Sequence, residues 1–290
     1  MDGGVQNVGI WKMGRALGPI RRSALYSHGL DSGEFTSDTA LASLIDRYPA
    51  ELVTINFREG LDAQKTSFPK KQGRGAALLE AVRQGHISVS LSGIEDQCLG
   101  LWSRASDAFG DVISAYPKMH VISTAGELTI STPGTHTPYH FDPVGVVLFH
   151  MRGLKRVFVY PTDERHLPEA AMEDVVTQQR IESLPYDAAF DHDAQVFELH
   201  PGEALAWPLY APHRVEVVGG LCVSLAVEYQ TWASRAQTGT LYTHACMRAR
   251  GMTPPAVAGV KGLSLALKWA LSLPLRRINF FGNRLVDYPM

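Results

Sequence analysis

A histidine and an aspartate two residues apart, His140 and Asp142, lie in the stretch TPYHFDP at 137–143. Imidazole nitrogen and carboxylate oxygen are both good ligands for a divalent metal. On a strand, side chains alternate with a period of two, so the pair would share one face with Cα atoms roughly 6–7 Å apart. Two ligands pointing one way begin a metal site without completing it. Among the eleven histidines, His213 stands out. It follows the glycine-centred turn HPGE (200–203), an apolar strand and a proline-rich kink in PGEALAWPLYAPHRVEV, a path that can return it beside the His140 strand. His28, His86, His120 and His166 sit near predicted loops or strand ends, and His136 and His150 flank the motif. The second HxD-like string, DHD at 191–193, reads as an exposed loop before the strand AQVFELH.

These residues need a rigid frame. Before residue 120 the sequence alternates helices and short strands. SDTALASLIDRYP predicts a helix near 39–47, capped at Ser37 or Asp38 and stopped at Pro49. ELVTINF and HISVSLSGI predict strands, GRGAALLEAVRQG a helix closed by Gly85, and DQCLGLWSRASDAFGDVISAYP a longer helix. From about residue 120, short β-rich runs punctuated by glycine and proline follow one another, from HVISTAG and ELTIST to HRVEVVGG and LCVSLAVEYQ. That rhythm predicts antiparallel strands in a sandwich or barrel. RHLPEAAMEDVVTQQRIESLPYD (165–187) interrupts it with a short helix and loop, and two helical segments close the chain. The simplest organisation is a helical and mixed layer over 1–119, a β core over 120–230 and C-terminal helices over 231–290, in one structural unit.

Composition narrows the class. The chain has 290 residues, 45% hydrophobic and 19% charged, which suits a packed core and excludes a disordered protein. A formal net charge of −2 offers no general attraction to nucleic acid. Cys98, Cys222 and Cys246 form no CxxC pair and read as reduced cytosolic thiols without a zinc framework. The first twenty residues lack the apolar run of a signal peptide. LSLALKWALSLPL (263–275) is interrupted by Lys268 and too short for a membrane span. A cytoplasmic location is the expectation.

Taken in order, TPYHFD, FHMRGLKRVFVYP and PGEALAWPLYAPHRV resemble the cupin-type JmjC family of Fe(II)- and 2-oxoglutarate-dependent oxygenases, in the style of its small bacterial, asparaginyl-hydroxylase-like branch. The resemblance spans about residues 120–230. It implies a mostly β fold with flanking helices around a double-stranded β-helix, or jelly-roll, core. It also implies His140, Asp142 and His213 as the catalytic metal ligands, with iron(II), O2 and 2-oxoglutarate as the reaction's partners. The family places a lysine after the HxD strand and a hydroxyl three residues before the HxD histidine on the distal carboxylate of 2-oxoglutarate. Those positions are Lys155, in the hairpin-like GLKR, and Thr137. The alternation Lys155, Val157, Val159 directs the lysine inward and Arg156 outward, and a buried lysine needs an anion. The implied reaction decarboxylates 2-oxoglutarate to succinate and hydroxylates a protein side chain or a small molecule.

Tyr139, Trp207 and Tyr210 lie close to a ligand in sequence and fit either the mouth of the site or barrel packing, while Arg214, next to His213, should face away. Two other readings use the same residues: a metal-dependent cupin enzyme that does not use 2-oxoglutarate, and a non-catalytic cupin-like binding protein. The C-terminal segment 256–275 places Leu263, Leu267, Ala270 and Leu271 on one stripe, with Ser264, Lys268 and Ser272 as its polar edge. The stripe fits packing on the chain's own barrel or a homodimer contact, and a homodimer is the expectation. Interfacial membrane attachment fits less well, because the polar edge is poor in basic residues.

Overall fold

A computed structural model describes residues 18–31, 33–57, 65–67, 74–85, 87–177 and 184–281. The frame is a ten-stranded antiparallel sheet. Its strands are β1 (Ala24–Ser27), β2 (Val53–Phe57), β3 (Lys65–Ser67), β4 (Ile87–Ser92), β5 (Val121–Ser131), β6 (His136–His140), β7 (Gly145–Val159), β8 (Gln195–Leu199), β9 (Glu203–Ala206) and β10 (His213–Thr231). The helices are α1 (Gly33–Thr36), α2 (Asp38–Arg47), α3 (Arg74–Arg83), α4 (Ile94–Gln97), α5 (Leu99–Ser114), α6 (Glu169–Val176), α7 (Trp232–Arg248) and α8 (Gly262–Arg277).

The two long strands make the architecture. β7 and β10 pair antiparallel along their length, with register shifts near Gly219. The first half of β7 also pairs with β9, its second half with β8. The first half of β10 pairs with β6, its second half with β5. Two leaves therefore share two bent strands, which is the arrangement of a double-stranded β-helix. β4, β2 and β3 extend the larger leaf beyond β5.

Glycine makes the bends. Gly153 has φ +84°, and a Cβ there would lie 2.4 Å from Cys222 Sγ, while Gly220 has φ +71° on the facing strand. This corrects two sequence expectations. GLKR is not a hairpin, and FHMRG and KRVFVYP are not separate strands, because the chain bends at Gly153 and the ladder continues. HRVEVVGG and LCVSLAVEYQ likewise form one strand. A positive-φ glycine suits a turn and a bend equally, and only the partner strands decide between them.

The faces of the leaves carry distinct cores. Val147, Phe149 and Met151 of β7 pack outward with Leu41, Leu79 and Phe109 of the N-terminal helices. Between the leaves, Val157, Val159, Phe197, Leu199, Leu205 and Val215 form the interior. A third cluster joins Tyr139, Phe141 and Tyr160 to α6 and α7. Ser37 caps α2 by accepting from the Ala40 amide, as the sequence predicts. His86 and the first seventeen residues lie outside the described residues. Among the described residues, no helix is long and apolar enough to cross a membrane.

Candidate metal centre

His140 closes β6 and His213 opens β10, and the register sets them directly opposite each other. Their rings lie 4.1 Å apart, centroid to centroid. Asp142 falls two residues beyond the strand end, yet the alternation continues: Phe141 turns into the core behind, fully buried, and Asp142 turns to the histidines. Its carboxylate oxygens lie 3.7 Å from His140 Nε2 and 3.4 Å from His213 Nε2. One donor atom from each of the three residues falls within 4.8 Å of the others.

The far nitrogens explain how the rings are held. His140 Nδ1 lies 2.8 Å from the Pro138 carbonyl and 3.1 Å from that of His213. His213 Nδ1 lies 3.0 Å from the Ala211 carbonyl. A carbonyl only accepts, so each Nδ1 carries a proton and each ring turns its Nε2 toward Asp142. Burial and the neighbouring His140 hold His213 well below the usual histidine range, which keeps it neutral. Two imidazole Nε2 atoms and a carboxylate thus converge. A cation satisfies that arrangement, and backbone-fixed imidazoles are the usual outer support of a metal ligand. Metal bonds of about 2.1 Å at right angles require donors about 3 Å apart, so the two separations from the carboxylate, 3.7 and 3.4 Å, need to close by less than 1 Å. The donor set fits a divalent metal.

Lys155 lies deeper, on the same inner face. It pairs with Val217 across β10, as Val157 pairs with Val215 and Val159 with His213. The lysine is 5% exposed, and burial lowers its ammonium from 10.5 to about 8. Among the described residues it forms no ion pair and no hydrogen bond. Thr137 is exposed and pairs with Val215, which places it on the lysine's face two strands away.

Two polar groups here escaped the sequence reading. His150 is fully buried, 2.9 Å from Ser224 Oγ through Nδ1 and 3.0 Å from the Gly153 carbonyl through Nε2. Burial and the Lys155 charge push it down to about 4. Its place inside the apolar run GVVLFHM was the only available signal. Among the described residues the buried Ser131 hydroxyl has no hydrogen-bond partner; it lies opposite Cys222. The Lys155 charge also reaches Cys222, partly offsetting the burial that raises its thiol. Nothing in the sequence marks this serine.

The remaining aromatic candidates, Tyr139, Trp207 and Tyr210, are buried. Tyr139 is buried and donates from its hydroxyl to the His166 carbonyl at 2.8 Å. Tyr210, at φ 66°, shares a 2.7 Å hydrogen bond with Thr238 of α7. Trp207 packs its ring 4.7 Å from that of His213. Arg214 faces away, stacked 3.5 Å over Phe158 and paired with Asp191 at 2.7 Å. DHD is therefore not a loose exposed loop: it sits in a 3-10 turn, with Asp191 held by Arg214 and Asp193 by Arg165.

A second group of buried ligand-type residues, Glu169, Glu173 and His244, has a different character. Arg248 reaches Glu173 at 3.0 Å and Glu169 at 3.1 Å. The Lys268 ammonium lies 2.6 Å from His244 Nε2. The acceptors already have cationic partners, so the cluster reads as an ion-paired clasp among α6, α7 and α8.

No protein-family model and no curated protein matches the chain. Solved structures do. The X-ray structure of Escherichia coli YcfD matches with a TM-score of 0.49 at 16% identity, covering 90% of this chain and 66% of that one. A structure of the same protein, described as a ribosomal oxygenase in complex with cobalt and 2-oxoglutarate, matches with a TM-score of 0.48 at 13% identity, covering 98% and 69%. The DMSP lyase DddQ from Ruegeria pomeroyi matches over 38% of this chain and 40% of its own, at 15% identity and a TM-score of 0.24. The chain spans about two thirds of the length of YcfD, and over most of its own length, at low identity, it is similar to the structure of that ribosomal oxygenase.

Proposed function

We propose that this chain is an Fe(II)- and 2-oxoglutarate-dependent oxygenase that hydroxylates a protein side chain or a small molecule. The observation that carries the reading is the convergence of two Nδ1-locked imidazoles and one carboxylate, a donor set that leaves other metal positions open. Iron(II) held by His140, Asp142 and His213 would supply the oxygen chemistry.

The chain's own residues do the positioning. Backbone carbonyls keep His140 and His213 in the ligating tautomer, and Asp142 brings the negative charge a divalent ion needs. Lys155, which has no ion pair among the described residues, offers its ammonium to the distal carboxylate of 2-oxoglutarate, with Thr137 as its hydroxyl partner. A charge-assisted contact of that kind, away from water, is strong. Val157, Val159, Val215 and Trp207 keep the space between lysine and triad apolar. A metal cupin that does not use 2-oxoglutarate leaves the buried lysine without a purpose.

Anaerobic titration tests the reading. Iron(II) and 2-oxoglutarate together should give a visible charge-transfer band that neither gives alone and that His140→Ala abolishes. Lys155→Met should weaken 2-oxoglutarate by about 2–4 kcal/mol and Thr137→Val by about 1 kcal/mol. Stoichiometric iron binding with no 2-oxoglutarate uptake by calorimetry would overturn the oxygenase assignment in favour of the other metal cupin.

A further inference from the structure

Two arginines stack on aromatic rings where α7 and α8 end. Tyr242 and Cys246 lie one turn apart on α7, and Arg250 comes one turn further, just past the helix end. Arg276, in the last turn of α8, sets its guanidinium carbon 4.6 Å from the centre of the Tyr242 ring. Arg250 lies over Phe280 at 4.2 Å. Phe281 meets both rings edge to face, 5.7 Å from Tyr242 and 4.8 Å from Phe280. The charges of both arginines reach the buried Cys246 thiol, so the two cations belong to one small region.

Their N–H groups are not used. Among the described residues neither guanidinium makes a hydrogen bond or an ion pair. Other buried or partly buried arginines do: Arg74 donates to the Tyr48 carbonyl at 2.9 Å, and Arg152 and Arg214 pair with Asp38 and Asp191, each at 2.7 Å. A basic residue in the last turn of a helix ordinarily complements its open carbonyls. At the end of α8 those carbonyls are met by other donors. The Phe280 amide and the Tyr242 hydroxyl donate to Leu275, the Ile278 amide to Pro274 and the Asn279 amide to Arg276. Burial also holds Arg276 below the usual guanidinium range. The fold thus places a cation where water solvates it poorly, and a stacked ring covers one face of it while leaving its N–H edge free.

We infer that Arg250 and Arg276 form a binding site for a phosphate monoester. The fork of one guanidinium satisfies a carboxylate, whereas two forks beside one thiol suit an anion with oxygens in more than one plane, which a tetrahedral phosphate presents. Charge gives the same answer. Two cations that pair with no carboxylate among the described residues call for a dianion. A phosphate monoester carries about −1.5 to −2 at neutral pH, and a diester carries a single charge. Phe280 and Phe281 are half-buried, so ring surface borders the arginines and suits the organic part of an ester.

Calorimetry of the metal-free full chain with phenyl phosphate tests the inference. The chain should take up one molecule, with an affinity about tenfold or more above that for succinate, a dianion of different shape. Arg276→Met and Arg250→Met should each weaken binding by about tenfold or more. Their circular dichroism should match the parent, since neither guanidinium holds another residue by a hydrogen bond and Arg250 is exposed. Arg235→Met removes an α7 arginine bonded to Gln230 at 2.6 Å and should leave the affinity unchanged, as should Lys155→Met. No uptake at millimolar concentration overturns the inference, as does succinate binding of equal strength or full binding by Arg276→Met. Loss of binding in Lys155→Met overturns it too, because the phosphate would then sit in the interior beside the triad. None of these outcomes depends on whether the triad holds iron.

Discussion

Replacing Lys155 by methionine keeps the length of the side chain and removes its charge, and the structure fixes the sign of the result. In the folded chain, burial lowers the ammonium from 10.5 to about 8. In the unfolded chain it returns to the ordinary lysine value. Below pH 8 both states hold the proton, so the fold bears the full cost of a buried cation. Between about pH 8 and 10.5 the unfolded state holds a proton that the native state has released, so stability rises with pH across that window. At about 1.4 kcal/mol for each tenfold change in the proton equilibrium, the cost is about 3 kcal/mol at pH 7 and about 1 kcal/mol at pH 10. Lys155→Met should therefore be more stable than the parent by about these amounts when metal and 2-oxoglutarate are absent. Urea unfolding at pH 7, 9 and 10 with a chelator present measures it, and subtracting parent from variant at each pH cancels the other titrating groups. A variant less stable than the parent at pH 7 would refute the reasoning. So would a difference that fails to shrink by pH 10, because either result means the ammonium is paired or hydrated in solution.

Other perturbations have equally definite outcomes. His140→Ala removes one imidazole of the triad, so cobalt(II) affinity measured by calorimetry should fall by more than about a hundredfold with the circular dichroism unchanged; stoichiometric uptake by the variant counts against the site. Gly153→Ala forces a Cβ to within 2.4 Å of Cys222 Sγ and 2.8 Å of the Leu221 carbonyl at φ +84°, so the urea midpoint should drop by the equivalent of about 2–3 kcal/mol. Arg248→Met leaves the buried carboxylates of Glu169 and Glu173 without their guanidinium. It should cost about 3 kcal/mol at pH 7 and less in acid, as Glu173, whose pKa burial raises, takes up a proton.

The sequence carried the triad because its ligands sit at positions that strand geometry constrains. A period of two aligns His140 with Asp142, and a glycine turn followed by a strand returns His213 to their side. The inward direction of Lys155 was legible for the same reason, from its alternation with Val157 and Val159. The path of the chain between strands was not. Gly153 and Gly220 punctuate the sequence as turn glycines do, and the bends they make appear only once β7 and β10 are paired across both leaves. Nor does helical periodicity say which side of α8 meets the protein. It shows a polar edge and an apolar stripe; Lys268 and Ser272 of that edge turn inward, Lys268 to His244 of α7, while Ser264 stays exposed. DHD failed as an exposed loop because its partners, Arg165 and Arg214, lie 28 and 23 residues away.

The distance between the triad and the lysine gives the proposed co-substrate its size. Val159 stands opposite His213, and Lys155 precedes it by four residues on the same strand and the same face. At the rise of a β-strand those four residues span about 13 Å. Part of that span is taken up by the lysine side chain reaching toward the triad and part by the imidazole reaching from the other end. What remains suits a short molecule with an anionic group at each end, one for the ammonium and one for the metal. The lysine ammonium is buried with no ion pair or hydrogen bond among the described residues, and Nε2 of each histidine faces the Asp142 carboxylate. A dicarboxylate would meet the ammonium at one end and a metal held by the triad at the other, so metal and co-substrate should bind with positive cooperativity. Calorimetry of 2-oxoglutarate with and without cobalt(II) reads that coupling, and equal affinities in the two titrations would mean that the ends do not serve one ligand.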